Sequence, residues 1–326
     1  MNDVTPRRVT SADVARLAGV SRATVSYVLN NTPHQTISAS TRARVLDAAA
    51  GLGYAPSAAA RTLRTGRSDV VLCLLPDWPI GHEVGALLAH LSAGLDQAGL
   101  TFLAHPGTRR PAGHLWRSIN PAAVLAFRRF SAEETESMRA AGVAPVVAPL
   151  SRPGTPEGPQ QRIGDLQAAH LAAAGHSRIG YAYPDDDRVR GFAEPRLEGV
   201  RARCAERGLA PPQVQTVPLE AEAAAGAVRE WCAAGVTAVC AYNDEVAMAV
   251  LAGARRSTDE PSSLAVIGVD DIPAARLAEP ALTTVTTDRA TVAAHLVAAV
   301  LAAVHGEPDP VLDLADAIRV VVRASA

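Results

Sequence analysis

The chain contains no lysine: all 31 of its basic residues are arginine. That absence removes two chemistries at once. A phosphate-binding P-loop requires its lysine, and Schiff-base catalysis requires an amine nucleophile. Metal and redox motifs are missing as well. The four cysteines (Cys73, Cys204, Cys232, Cys240) form no CxxC pair and sit in apolar or helical stretches, so reduced thiols are expected. No apolar run approaches the ~18 residues of a membrane span. No apolar segment follows Arg7 and Arg8, so a secretory signal is not expected and the cytoplasm is the expected compartment. There is no GxGxxG, GxSxG or HExxH, and the nine histidines are scattered. No catalytic residue, metal or cofactor is therefore expected, and an enzyme is disfavoured.

What is present is uneven. At 326 residues and 48% hydrophobic, the chain can bury a full core and hold one large domain plus a small one. Residues 1–68 carry nine arginines against Asp3, Asp13 and Asp47, a formal charge of +6. The whole chain is −2, which leaves −8 for the rest. A basic front on an acidic body points to a polyanionic partner for the front alone.

Three short helices are expected in that front. The first, 11–18, places Val14, Leu17 and Ala18 on one face and is broken by Gly19-Val20. Ser21 is a suitable N-cap for a second over 22–29, with Val25, Val28 and Leu29 inward. Ser38 caps a third that ends near Gly51, with Val45, Leu46 and Ala49 at core spacing. Two short helices joined by a tight glycine turn and packed by a third make a helix-turn-helix unit. Residues 57–64 form a further short helix-prone segment, and 65–68 read as a linker.

From Asp69 the pattern alternates. Strands are expected at 70–75, 101–104, 122–127, 145–148, 177–183, 213–217, 238–241, 265–269 and, near the end, 318–322. Helices are expected at 83–97, 167–174, 196–207, 221–234 and 245–254. Strand-helix alternation implies parallel sheets with right-handed crossovers. The count suits either a barrel or two Rossmann-like lobes. Residues 152–159, rich in Pro and Gly, mark either a lobe boundary or a loop.

Residues 9–64 closely resemble the DNA-binding headpiece of the lactose-repressor (LacI/GalR) family of transcription regulators. The resemblance runs through Val9-Thr10, Asp13-Val14-Ala15, Ala18-Gly19-Val20-Ser21, Ala23-Thr24-Val25-Ser26 and Val28-Leu29-Asn30. It continues in Thr41-Arg42, Arg44-Val45, Leu52-Gly53-Tyr54, Pro56 and Ala60-Arg61-Thr62-Leu63. Looser echoes are 174–179, 238–247, 267–272 and 282–285. The implied fold is α/β: an all-α headpiece, 1–66 with its hinge helix at 57–64, and a two-lobed periplasmic-binding-protein-like core at 67–326. The implied function is a repressor of transcription whose operator affinity a sugar or related metabolite controls. A regulator of the same architecture that has lost small-molecule control is the alternative.

The resemblance also assigns residues. Arg22, Ala23 and Tyr27 stand where the family meets base edges, and Arg22 suits bidentate donation to guanine. Tyr27 departs from the arginine or histidine common there. Ser21, Thr24, Ser26 and Asn30 suit phosphates, which position without reading sequence. Leu63 stands where the family wedges a leucine into the minor groove, and Arg64 is beside it. Paired hinges imply a homodimer on a near-palindromic operator of double-stranded DNA with a central CpG. No heptad tail follows 318–322, so a tetramer is not expected.

In the core, Arg196, Asn243 and Asp270 match the family's ligand contacts. Each also suits a local role: ion pair, helix cap and turn respectively. The first lobe departs from the pattern: 76–83 replaces an Asn-Pro-Phe-Phe-rich segment, Pro149 stands where aspartate is common, and an acidic-amide pair is missing around 162–165. Trp78, inside the replaced segment, suits stacking on a ring or packing in the core.

Overall fold

The computed structural model describes residues 9–29, 35–54, 68–106, 113–148, 158–257, 264–310 and 317–326. The chain divides into two compact units, Met1–Ser68 and Asp69–Ala326.

The first unit holds α1 (Ser11–Ala18), α2 (Arg22–Leu29) and α3 (Ala39–Gly51). Each start has a local cause. Asp13 accepts hydrogen bonds from the Thr10 amide (2.9 Å) and hydroxyl (2.7 Å), which ties down the first turn of α1. Ser21 accepts from the Thr24 amide at 3.1 Å, and Ser38 from that of Thr41 at 3.2 Å. Gly19 ends α1 at φ +65°, a conformation that glycine adopts without Cβ strain. Val14, Ala18, Val25, Val28, Val45 and Ala49 are buried together.

Two expected core residues are not in that core: Leu17 is 62% exposed and Leu46 48%. The reason is angular. Val14, Ala15 and Ala18 define the buried stripe of α1, and at roughly 100° per residue Leu17 falls about 110° from its centre. Leu46 is displaced by the same angle from the stripe of Val45, Ala48 and Ala49. A three-helix cluster covers only one narrow face of each helix.

The second unit contains two open sheets, which excludes the barrel. In the first lobe the order is β2-β1-β3-β4, all parallel: β1 (Val70–Leu74), β2 (Thr101–His105), β3 (Ala123–Ala126) and β4 (Ala144–Val147). Its helices are α4 (His82–Gln97), α5 (Gly113–Ile119) and α6 (Ala132–Ala140). Strand β1 shows how both faces are covered. Val71 and Cys73 pack with Leu91, Leu95, Leu296 and Val300, whereas Leu72 and Leu74 pack with Trp116, Val124 and Met138. Alternate side chains point to opposite faces, so a strand between two helical layers reads as one apolar run.

The second lobe has six strands in the order β10-β9-β8-β7-β5-β6: β5 (Ile179–Pro184), β6 (Gln213–Val217), β7 (Ala238–Ala241), β8 (Ala265–Val269), β9 (Thr283–Thr287) and β10 (Ile318–Val321). Only β10 is antiparallel to its neighbour. Helices α7 (Pro159–Ala173) and α8 (Arg190–Glu206) cover one face; α9 (Ala221–Ala233) and α10 (Asp244–Ser257) cover the other. The last helix, α11 (Arg289–His305), leaves the second lobe after β9 and packs on the first beside α4; β10 then returns. Strand β4 and helix α7 belong to different lobes, so the boundary lies between them; 149–157 lie outside the described residues.

Strand β9 was not among the expected strands. Its sequence, TTVTT, is polar, yet Thr283 and Thr284 are fully buried. Their hydroxyls donate to the Ala326 carbonyl (3.0 Å) and to Asp244 (2.6 Å), which satisfies them inside the core. Helices α5, α6 and α11 fill further gaps between strands. Among the described residues no helix is long and apolar enough to cross a membrane, and none group into a metal site. The four cysteines are free, and burial pushes the Cys73 thiol up to about 12.

Candidate functional sites

Helix α2 presents one outward face. Arg22, Ala23, Ser26 and Tyr27 are exposed along it, while Val25 and Val28 point into the core. Tyr27, at 37% exposure, is one of few large apolar side chains left uncovered. Ser21 is already fixed: its hydroxyl bonds to Thr24 Oγ1 at 2.9 Å as well as capping the helix. Thr24 is half-buried. Asn30, Leu63 and Arg64 lie outside the described residues. A short helix with small hydroxyls at its N-terminus and an arginine in its first turn can place its positive dipole end near a phosphate.

The second site is a cleft of about 630 Å³ between the lobes, at the C-terminal ends of the strands. Trp78, in the loop after β1, lies 5.3 Å (ring centroids) from Phe127 of the first lobe and 4.6 Å from Phe192 of α8 in the second. Both contacts are tilted, the favourable geometry for aromatic pairs. Trp78 thus both packs and lines the cleft.

Arg196, Asn243 and Asp270 all reach the same cavity. Arg196, 6% exposed, donates Nε–H to Gln160 (2.8 Å) and Nη1–H to the Tyr242 carbonyl (2.6 Å), and lies 4.8 Å over the Tyr242 ring. Its remaining nitrogen sits 4.0 Å from Asp270. Asn243 accepts from the Val246 amide at 3.0 Å, so its oxygen caps α10, and its amide nitrogen lies 3.5 Å from Glu245. Burial raises the Asp270 carboxyl to about 6, with Arg196 and Arg289 opposing and Glu83 adding to the rise.

The Asp270-Asp271 turn is strained. Their φ angles are +110° and +50°, positions disfavoured for residues with a Cβ. Surrounding bonds hold them there. The Asp270 amide donates to Val285 (2.8 Å), and Asp271 pairs with Arg323 (2.5 Å) and Arg276 (3.6 Å). Asp244, fully buried behind the turn, accepts from Thr284 and from the Ile272 amide (2.9 Å), and burial raises it to about 7. Gly268 makes room for it: a Cβ there would sit 2.2 Å from the Asp244 carboxylate. Asp244 and Asp271 therefore build the turn that holds Asp270.

Several cleft residues gave no sequence signal. Arg289, in the first turn of α11, pairs with Glu83 of α4 at 2.5 Å and donates to the Asp270 carbonyl at 2.7 Å. Glu83 and Arg289 are 206 positions apart. Phe127 and Tyr242 end apolar runs that read as core, and Phe192 is a single aromatic within a charged stretch.

Comparison with known proteins gives the same division. Residues 10–57 match the family model of bacterial regulatory proteins, lacI family. Residues 168–326 match that of the periplasmic binding protein-like domain. The chain is 30% identical to the HTH-type transcriptional regulator GalR of Escherichia coli over 315 residues, covering 92% of this chain and 91% of the relative. It is 31% identical to the HTH-type transcriptional regulator CelR of Thermobifida fusca, covering 86% and 87%. The crystal structure of the Lac repressor dimer bound to operator and the anti-inducer ONPF has the same fold, with a TM-score of 0.78 at 22% identity over 98% of this chain and 99% of that one. A CelR–cellobiose complex matches with a TM-score of 0.65 at 25% identity, covering 98% and 100%. Helix-turn-helix and binding-protein-like core are matched in the same order, and a 30%-identical relative spans nearly the whole of both chains. The chain belongs to the lacI family of bacterial regulatory proteins, and is a DNA-binding transcription regulator rather than an enzyme.

Proposed function

We propose that this regulator is a cytoplasmic homodimeric repressor: a headpiece and hinge over residues 1–66 bind a near-palindromic operator, and a small molecule held by residues 67–326 controls that binding. The observation that carries the ligand half is the inter-lobe cleft, with its aromatic wall and its Arg196–Asp270 pair. A 630 Å³ cavity built from both lobes favours retained ligand control over its loss. Trp78, Arg196, Asn243 and Asp270 contact the ligand in this reading. A ligand that binds one inter-lobe angle better than another shifts the population toward it, and operator affinity follows through the hinge.

At the DNA end, Arg22, Ala23 and Tyr27 face base edges, and Ser21, Thr24, Ser26 and Asn30 face phosphates. Leu63 and Arg64 enter the minor groove at a central CpG. The exposed face of α2, formed by Arg22, Ala23, Ser26 and Tyr27, supports this reading. Selection of binding sites from random duplex should return an inverted repeat with a central CpG. Leu63→Ala should weaken its binding while leaving the dimer intact in sedimentation. Candidate metabolites should then shift operator affinity. Selection that returned no inverted repeat would refute the DNA half; an operator complex indifferent to a broad effector panel would refute the ligand half.

A further inference from the structure

We infer that the cleft takes a ligand that is flat and apolar over most of its surface and carries a positive charge, and that it turns anions away. This rests on the cleft being the effector site. The walls argue for the apolar body. Trp78, Phe127, Phe192 and Tyr242 line the cavity from both lobes, with Ile163 and Leu88 beside them. Such a surface favours a ring over a polyol, whose hydroxyls would each need a partner.

Charge argues for the cation. Every guanidinium lining the cleft already faces a carboxylate: Arg188 with Asp186 at 2.7 Å, Arg196 with Asp270 at 4.0 Å, and Arg289 with Glu83 at 2.5 Å. Four lining carboxylates have no such partner among the described residues: Asp244 is buried and takes hydrogen bonds from Thr284 and the Ile272 amide, while Asp185, Glu220 and Glu245 are exposed. These last three form a group. Topology brings them together. They follow β5, β6 and β7, which lie side by side as β7-β5-β6, so all three stand on one lip of the cleft. Glu220 stands at the N-cap position of α9 without a side-chain capping bond, and Glu245 sits in the first turn of α10. Each helix N-terminus contributes roughly half a positive charge there, which leaves about two net negative charges on the lip. An anion entering would meet that field with no uncommitted guanidinium to receive it; an ammonium would be drawn in.

The test uses three probes with one skeleton: 2-phenylethylamine, 2-phenylethanol and 3-phenylpropionate. Their binding to the full-length protein is measured by calorimetry and by quenching of tryptophan fluorescence. The amine is expected to bind tightest and the acid weakest, about tenfold apart at roughly 0.02 M salt, with the gap closing at about 0.5 M. A Glu220→Gln, Glu245→Gln double variant, altered only at exposed positions, should narrow the gap while leaving the alcohol's affinity in place. Acid binding equal to or tighter than amine binding, or a preference that ignores both salt and the double variant, overturns the inference. If none of the three binds but a neutral sugar releases the operator, the inference fails and the proposed function stands. If neither these three nor any member of a broad effector panel alters operator affinity, both fail.

Discussion

Helices α7 and α8 cross so closely that glycine is required on both sides, and this contact fixes Arg196. A Cβ on Gly164 would lie 1.8 Å from the Arg196 carbonyl oxygen; one on Gly199 would lie 2.0 Å from that of Gln161. A carbon needs roughly 3.3 Å from such an oxygen, so Gly164→Ala must push the helices apart by about 1.5 Å. Two effects oppose each other. Alanine gains about 1 kcal/mol of helix propensity over glycine. Overpacking against main chain costs about 3 kcal/mol, the upper part of the usual range, because a backbone oxygen cannot rotate away. The net is a loss of about 2 kcal/mol, or a melting temperature roughly 4–8 °C lower for a unit of this size. Gly226→Ala is the internal comparison. It sits within α9, and a Cβ there meets only the tip of Arg229 at 3.9 Å. That variant should gain up to about 1 kcal/mol. Thermal melts followed by far-ultraviolet circular dichroism compare the two with the parent. Opposite signs support the close-crossing argument; a Gly164→Ala protein as stable as Gly226→Ala would refute it.

Asp244 gives a pH dependence of defined sign. Its carboxyl is raised to about 7 by burial, so the native state holds a proton that the unfolded chain has released. Stability should fall as pH rises from about 4 towards 7, and the decline should be smaller in Asp244→Asn; a urea midpoint that climbs over that window would contradict this. Arg22→Ala should cost about 1–3 kcal/mol in operator affinity and relax discrimination at one base pair, whereas a uniform loss across sequences would identify a phosphate contact. Ser21→Ala removes the cap of α2 and should destabilise the headpiece by about 1 kcal/mol, read as a lower midpoint for residues 1–68 alone or in the full chain.

Local order was legible in the residues themselves. Gly19, Ser21 and Ser38 punctuate the headpiece helices through bonds to neighbours within a few positions, so their roles follow from short-range pattern. Apolar runs gave most of the strands for the same reason: a strand buried on both faces is apolar throughout. Arg196, Asn243 and Asp270 were picked out through resemblance, and the fold brings all three to one cavity.

The remainder belongs to tertiary structure, because it depends on pairs that spacing cannot relate. A polar TTVTT segment becomes a buried strand only once Asp244 and Ala326 supply partners for its hydroxyls. Leu17 and Leu46 look like core on their own helices, yet the neighbouring helices cover a face about 110° away. Glu83 meets Arg289 across 206 positions, because α11 leaves one lobe to pack on the other. Periodicity reports which side of an element is apolar; which side is covered, and by what, depends on distant segments closing on it.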